Sequence, residues 1–227
     1  MDQVIQTIAI WALPVLLAIT LHEVSHGWVA RMLGDPTAQM LGRLTLNPLK
    51  HIDPIGTIAV PLGLVMLSVL TSGPMFVFGW AKPVPVNVRN LHRPQRDMAL
   101  VAAAGPLSNL AMALGWALLL KLSLLVRESG IAGVDWVVVP LAYMGMAGIA
   151  INILLMVLNL LPVPPLDGGR VLSGLVSPRL SSMLDRIEPY GLIIMVVLLV
   201  TGLLGAILWP FYEFFVRLIH GLFALPF

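Results

Sequence analysis

The chain has 227 residues, 59% of them hydrophobic and only 11% charged, where soluble domains carry roughly one quarter charged residues. A mean hydropathy of +0.96 and a formal net charge of +2, with the basic residues spread through loops, describe a polytopic membrane protein and leave nucleic-acid binding without support. The lack of cysteine excludes disulfides and thiolate metal sites.

Five apolar runs are long enough to cross roughly 30 Å of hydrocarbon at about 20 residues per crossing: 4–30, 55–78, 98–126, 137–161 and 189–210. The first follows MDQVIQT, which has neither a basic leading segment nor a small-residue cleavage site, so this run is expected to be retained as a membrane helix. A short aromatic tail, YEFFVRLIHGLFALPF, follows the last run. No internal repeat is evident, and the expected organisation is one membrane-embedded domain over 1–227.

Of the 13 basic residues, ten fall in three places: Arg31, Arg43 and Lys50; Lys82, Arg89, Arg93 and Arg96; and Arg170, Arg179 and Arg186. Lys121 lies near the far end of the third run, Arg127 just past it, and Arg217 past the end of the fifth. If all ten face the cytoplasm, as the positive-inside tendency asks, the second run has basic flanks on both sides and does not cross once. Pro61, Gly63, Gly73 and Pro74 interrupt it, and irregular backbone at membrane depth is tolerated where protein or a water-filled cavity surrounds it. The expected fold is therefore all-α and polytopic, with about four transmembrane helices, a re-entrant or interfacial hydrophobic element, and a small β element near 79–88. The N-terminus is expected outside a multi-pass cell-membrane protein; five ordinary spans with weak charge bias are the alternative.

The first run ends in LHEVSHGWVA. In a helix, His22 and His26 stand four apart on one face and reach one ion, with Glu23 beside them to polarise a bound water: the HExxH arrangement. A glutamate within an apolar span is costly to bury as a charge and marks a functional site by default. The bland alternative is that these three side chains only hydrogen-bond between helices.

A catalytic zinc needs a third protein ligand and an open position. The candidate is Asp167 in NLLPVPPLDGGRVL. With the second run returning to its own side, the first and fourth runs both travel inward, one ending just after His26 and the other just before Asp167. All three ligands then share one membrane depth, towards the cytoplasm. A helix cap after the prolines is the competing role for Asp167.

HEVSH near the end of the first span and NLLPVPPLDGG after a later one resemble the site-2 protease family of intramembrane zinc metalloproteases, in its short prokaryotic branch. AAGPLSN at 103–109 and GWAKPVPVN at 79–87 add to the resemblance, which covers nearly the whole chain. It implies one zinc per chain held by His22, His26 and Asp167, Glu23 as general base, and Asn159 close enough to help bind substrate or the developing oxyanion. An interhelical hydrogen bond is an equal alternative for Asn159. The chain departs from larger members in carrying no PDZ or CBS module within these residues.

A transmembrane helix hides its peptide bonds in its own hydrogen-bond ladder, so a substrate must be unwound where it is cut. In WAKPVPVN, Pro83 and Pro85 block one edge of an extended segment, while Lys82, Val84 and Val86 keep donors on the other, an expected substrate-clamping edge. A stiff proline-rich connector is the alternative. Asn109 opens the third span either as a packing residue or as a hydrogen-bonding group near the metal and substrate. His51 and Asp53 fit an interfacial turn better than a metal site. The expected partners are the lipid bilayer and a membrane protein with a transmembrane helix, and the expected activity is a zinc endopeptidase. A zinc transporter and an inactive helix-binding scaffold are the rivals.

Overall fold

A computed structural model describes residues 2–71 and 79–225. Nine α-helices occur among them, and no strand. Four are long and apolar enough to cross a membrane: α1 (Asp2–Met32), α4 (Pro94–Glu128), α5 (Asp135–Asn159) and α9 (Leu203–Phe223). Between α1 and α4 lie the short α2 (Thr37–Met40) and α3 (Val60–Thr71), which a wide turn over Pro54–Ala59 leads into. Beyond α5 come α6 (Asp167–Leu175), the amphipathic α7 (Pro178–Ile187) and α8 (Gly191–Val200).

Lipid tails are as apolar as leucine, so these helices associate through close packing and interhelical hydrogen bonds. Small residues allow it. Ala113 and Ala117 of α4 are fully buried, and a Cβ on Gly145 of α5 would lie 2.8 Å from that of Leu120. The main core joins α4, α5, α8 and α9 through residues such as Leu120, Ile153, Met156, Met195 and Ile219. Lys121 Nζ donates to the Ala224 carbonyl at 3.2 Å, bringing the end of α9 to the far half of α4.

The second apolar run enters and leaves at one place. The Trp80 N–H donates to the Gly56 carbonyl at 3.1 Å, and the Thr57 hydroxyl donates to the Trp80 carbonyl at 2.8 Å. A segment whose ends are hydrogen-bonded to each other does not cross a bilayer once. Its proposed return through Gly73 and Pro74 lies outside the described residues.

Two expectations need correction. The β element near 79–88 is extended backbone with no ladder partner among the described residues, so it forms no strand. The last membrane-length helix is α9, not 189–210. Gly202 adopts φ 75°, a left-handed conformation that ends the helical path after α8, and the aromatic tail continues α9 through Pro210. Its Glu213–Arg217 pair at 2.8 Å is an i,i+4 contact on the helix surface, which hydropathy alone reads as an interruption.

Candidate metal centre

The site is built where α1 crosses α4. His22 and His26, one turn apart on α1, face Val101, Gly105 and Asn109, which recur every four residues along one face of α4. The His26 Nδ1–H donates to the Val101 carbonyl at 2.7 Å, and the His22 Nδ1–H donates to Asn109 Oδ1 at 2.5 Å. A carbonyl oxygen only accepts, so each ring carries a proton on Nδ1 and turns Nε2 towards Asp167. A Cβ on Gly105 would stand 2.5 Å from His26 Nε2 and 2.6 Å from His22 Cε1. The glycine lets the helix backbone lie against both rings.

Asp167 arrives from the other side. Pro162, Pro164 and Pro165 remove donors and stop α5, and α6 begins at Asp167 itself. A Cβ on Gly168 would run into the Leu160 and Leu161 carbonyls, and one on Gly169 would lie 2.7 Å from Pro164 N. These glycines therefore serve close approach of α6 to the end of α5, rather than a left-handed turn. Gln95 Nε2 donates to the Ser173 and Val176 carbonyls at 3.0 Å each, fastening the end of α6 to the start of α4.

Asp167 Oδ2 then lies 3.1 Å from His22 Nε2 and 3.3 Å from His26 Nε2. That oxygen is buried, with the two ring nitrogens facing it. Two imidazole Nε2 atoms and a carboxylate oxygen converge on one point, an arrangement that a shared proton or a bound cation stabilises. The three ligand atoms lie within 4.8 Å of one another, and two nitrogens with one oxygen suit zinc with a position left open.

Glu23, beside the ligands, accepts at Oε2 from the Val84 N–H at 2.9 Å. Two of the three donors of the expected clamping edge are therefore taken. The Val84 donor is taken by Glu23, the Lys82 N–H donates to the His51 carbonyl at 2.9 Å, and Val86 packs on the cluster of Ala30, Leu91 and Val101. The segment acts as a strap over the site. Arg43 Nη2 holds it at the Lys82 carbonyl, 3.0 Å away.

The other end of the strap is latched by Asp35, which is fully buried. Oδ2 accepts from the Asn87 N–H at 2.7 Å; Oδ1 accepts from Asn90 Nδ2 at 2.8 Å, the Thr37 N–H at 3.1 Å and the Thr37 hydroxyl. Burial pushes the carboxyl up, but these hydrogen bonds outweigh it and hold Asp35 below the usual carboxylate range.

Other expectations fall differently. Asn109 is fully buried behind His22, to which it is hydrogen-bonded. Asn159 Nδ2 donates to the Leu155 carbonyl of its own helix at 2.9 Å. Asp53 accepts from the Ile55 and Gly56 N–H groups, which makes it a turn cap. Sequence reasoning missed Asn152, Asp35 and the Val101 carbonyl, and it offered the Val84 N–H to substrate where the structure gives it to Glu23. Asn152 alone left a signal, a polar amide in an apolar span.

The profile of peptidase family M50 matches residues 135–202. A protein of Bacillus subtilis with the name "Putative zinc metalloprotease YwhC" is 40% identical over 196 residues, covering 86% of this chain and 82% of its own. Two proteins bearing the same description and the name Rip2 are also similar. The one from Mycolicibacterium smegmatis is 33% identical, covering 84% of this chain and 66% of its own; the one from Mycobacterium tuberculosis is 31% identical, covering 86% and 70%. No solved structure matches. Together with four membrane-length helices and the convergence of His22, His26 and Asp167, this likeness over most of the chain makes it a member of peptidase family M50, the membrane zinc metalloproteases of the site-2 type.

Proposed function

We propose that this protein is an intramembrane endopeptidase that binds one zinc through His22, His26 and Asp167 and cuts a peptide bond in or near a transmembrane segment of another protein. The observation that carries this reading is the position of the donor set: His22 and His26 belong to a membrane-length helix, are buried against a second one, and stand beside an acid. When bound, zinc supplies Lewis acidity and lowers the pKa of water towards about 7.

The chain's own groups supply the rest. Val84 N–H holds Glu23 Oε2, leaving Oε1 to take a proton from the attacking water and return it to the leaving nitrogen. Asn159 gives one N–H to the Leu155 carbonyl, and its second N–H is the candidate to help bind substrate or the developing oxyanion. A membrane helix offered as substrate must unwind before its peptide bond reaches this site. The basic residues around the site-side ends of the spans support a cytoplasmic-facing centre with the N-terminus outside.

The test pairs metal content in detergent with cleavage of a panel of model transmembrane substrates, comparing wild type with Glu23→Gln. The expected result is about one zinc per chain in both and cleavage by wild type alone. Cleavage surviving in Glu23→Gln would overturn Glu23 as base. Zinc in both proteins with no cleavage of any substrate would turn the reading towards metal transport.

A further inference from the structure

The two imidazoles are oriented by different means. His26 leans on a backbone carbonyl, which no side-chain substitution removes. His22 leans on a side-chain amide, and an amide can turn over and present its NH2 group instead. Something must keep Asn109 Oδ1, and not Nδ2, against His22.

The structure assigns that task to Asn152 of α5, a positioning residue for the metal centre. Asn152 and Asn109 are both fully buried. Asn152 Nδ2 donates to the Gly148 carbonyl at 2.8 Å. A carbonyl cannot donate, so the Asn152 amide has one permitted orientation, with Oδ1 turned to α4. Asn109 Nδ2 donates to that oxygen at 2.9 Å, and at a longer 3.3 Å to the Ala18 carbonyl. Asn109 Oδ1 is thereby committed to His22, whose Nδ1 must carry the proton and whose Nε2 must face Asp167.

The direction of every bond in this relay follows from backbone carbonyls at its ends. Gly148 lies at one end on α5 and Ala18 beside the other on α1, so the protonation pattern of His22 is set across three helices before any metal arrives. Turning Asn109 over would place its NH2 against the His22 N–H and its oxygen against Asn152 Oδ1, two repulsive contacts between fully buried amides and a buried ring. A ligand histidine fixed in the Nε2 lone-pair form binds metal without first exchanging its tautomer, and such supporting groups typically contribute about 10- to 100-fold in metal affinity.

The test uses the full chain in detergent, labelled with 15N-histidine, and rests on the zinc reading only in its second measurement. The first is the His22 tautomer of the metal-free protein by NMR, with His22 identified by its loss in His22→Gln. The second is zinc affinity by competition with a chelator. Asn152→Leu keeps the branched shape and removes both polar atoms; Asn152→Ala removes them without steric conflict if the leucine variant does not fold. Asn152→Asp is the rescue: a carboxyl buried in this setting stays protonated, its hydroxyl donating to Gly148 and its carbonyl accepting from Asn109.

We expect wild type and Asn152→Asp to share one His22 tautomer and zinc affinity within about threefold, and the leucine or alanine variant to show mixed tautomers and affinity lowered about 10- to 100-fold. The assignment is overturned if the apolar variants keep the wild-type tautomer and affinity and lose only thermal stability. It is equally overturned if Asn152→Asp behaves as they do. Absence of zinc binding by the wild type would overturn the metal reading, and the tautomer comparison would still decide the role of Asn152.

Discussion

Glu23 Oε2 and the backbone N–H of Val84 are 2.9 Å apart, across 61 positions of sequence. This one bond ties the acid beside the metal ligands to a strap that both prolines around Val84 hold extended. It makes the strap part of the site rather than a cover laid over it.

Val84→Pro removes that donor while leaving an extended backbone. A hydrogen bond to a charged group contributes about 1.5–3 kcal/mol, so kcat/KM is expected to fall about 10- to 100-fold with zinc content unchanged. Steady-state cleavage beside elemental analysis checks both quantities. Activity within twofold of wild type would remove the N–H from the account of Glu23.

Gly105→Ala places a methyl group 2.5 Å from His26 Nε2 and Cε1. The ring must move or the helices must separate, and zinc affinity is expected to drop at least tenfold. Gly115 on the same helix has nothing within 4 Å of its virtual Cβ, so Gly115→Ala is expected to keep zinc and gain about 0.5–1 kcal/mol of stability. Equal zinc affinity in the two variants would show that the approach at Gly105 is not needed.

Asp35→Asn cannot serve both sides of the latch, because one carboxylate oxygen becomes a donor facing the Asn87 N–H or the Thr37 and Asn90 donors. The expected loss is about 1–3 kcal/mol at neutral pH, read as a lower Tm, together with weaker cleavage as the strap loosens. The sign of the pH dependence follows from the lowered carboxyl pKa. The contribution of Asp35 is present above its unfolded value of about 3.9 and is lost as pH falls through the lower folded value. The Tm gap between wild type and Asp35→Asn is therefore expected to hold from pH 7 to about pH 5 and to narrow below about pH 4; a gap that widens on acidification would contradict it.

Chelation is expected to abolish cleavage, and added zinc to restore it. Zinc at about 100 times its Kd stabilises a folded binder by about 2.7 kcal/mol, so the wild-type Tm is expected to rise with zinc. Asp167→Ala, lacking the carboxylate that faces both Nε2 atoms, is expected to show no such rise. A full zinc-dependent shift in that variant would place the metal elsewhere.

The ligand pair was legible in the sequence because its spacing is the helical period itself: His22 and His26 share a face wherever a helix forms, and Glu23 is fixed beside them. The long apolar helices were legible for an equally local reason, since length and composition decide what can span a bilayer. Asp167 was legible through the prolines and glycines that surround it. The last membrane-length helix was misjudged because a single left-handed Gly202 moves the boundary while hydropathy runs smoothly across it.

Only the tertiary structure decided what holds these residues in place. Val101 supports His26 through a backbone carbonyl, and Val84 supports Glu23 through a backbone N–H, groups that every residue except proline can offer and that leave no mark in composition. Asn109 and Asn152 carry a visible polarity, but their partners lie on other helices, and which atom donates to which follows from packing alone. The sequence by itself determined the chemistry at this centre, because the reactive groups repeat with local geometry. Its orientation was decided by contacts between distant segments, which exist only once α1, α4 and α5 are packed.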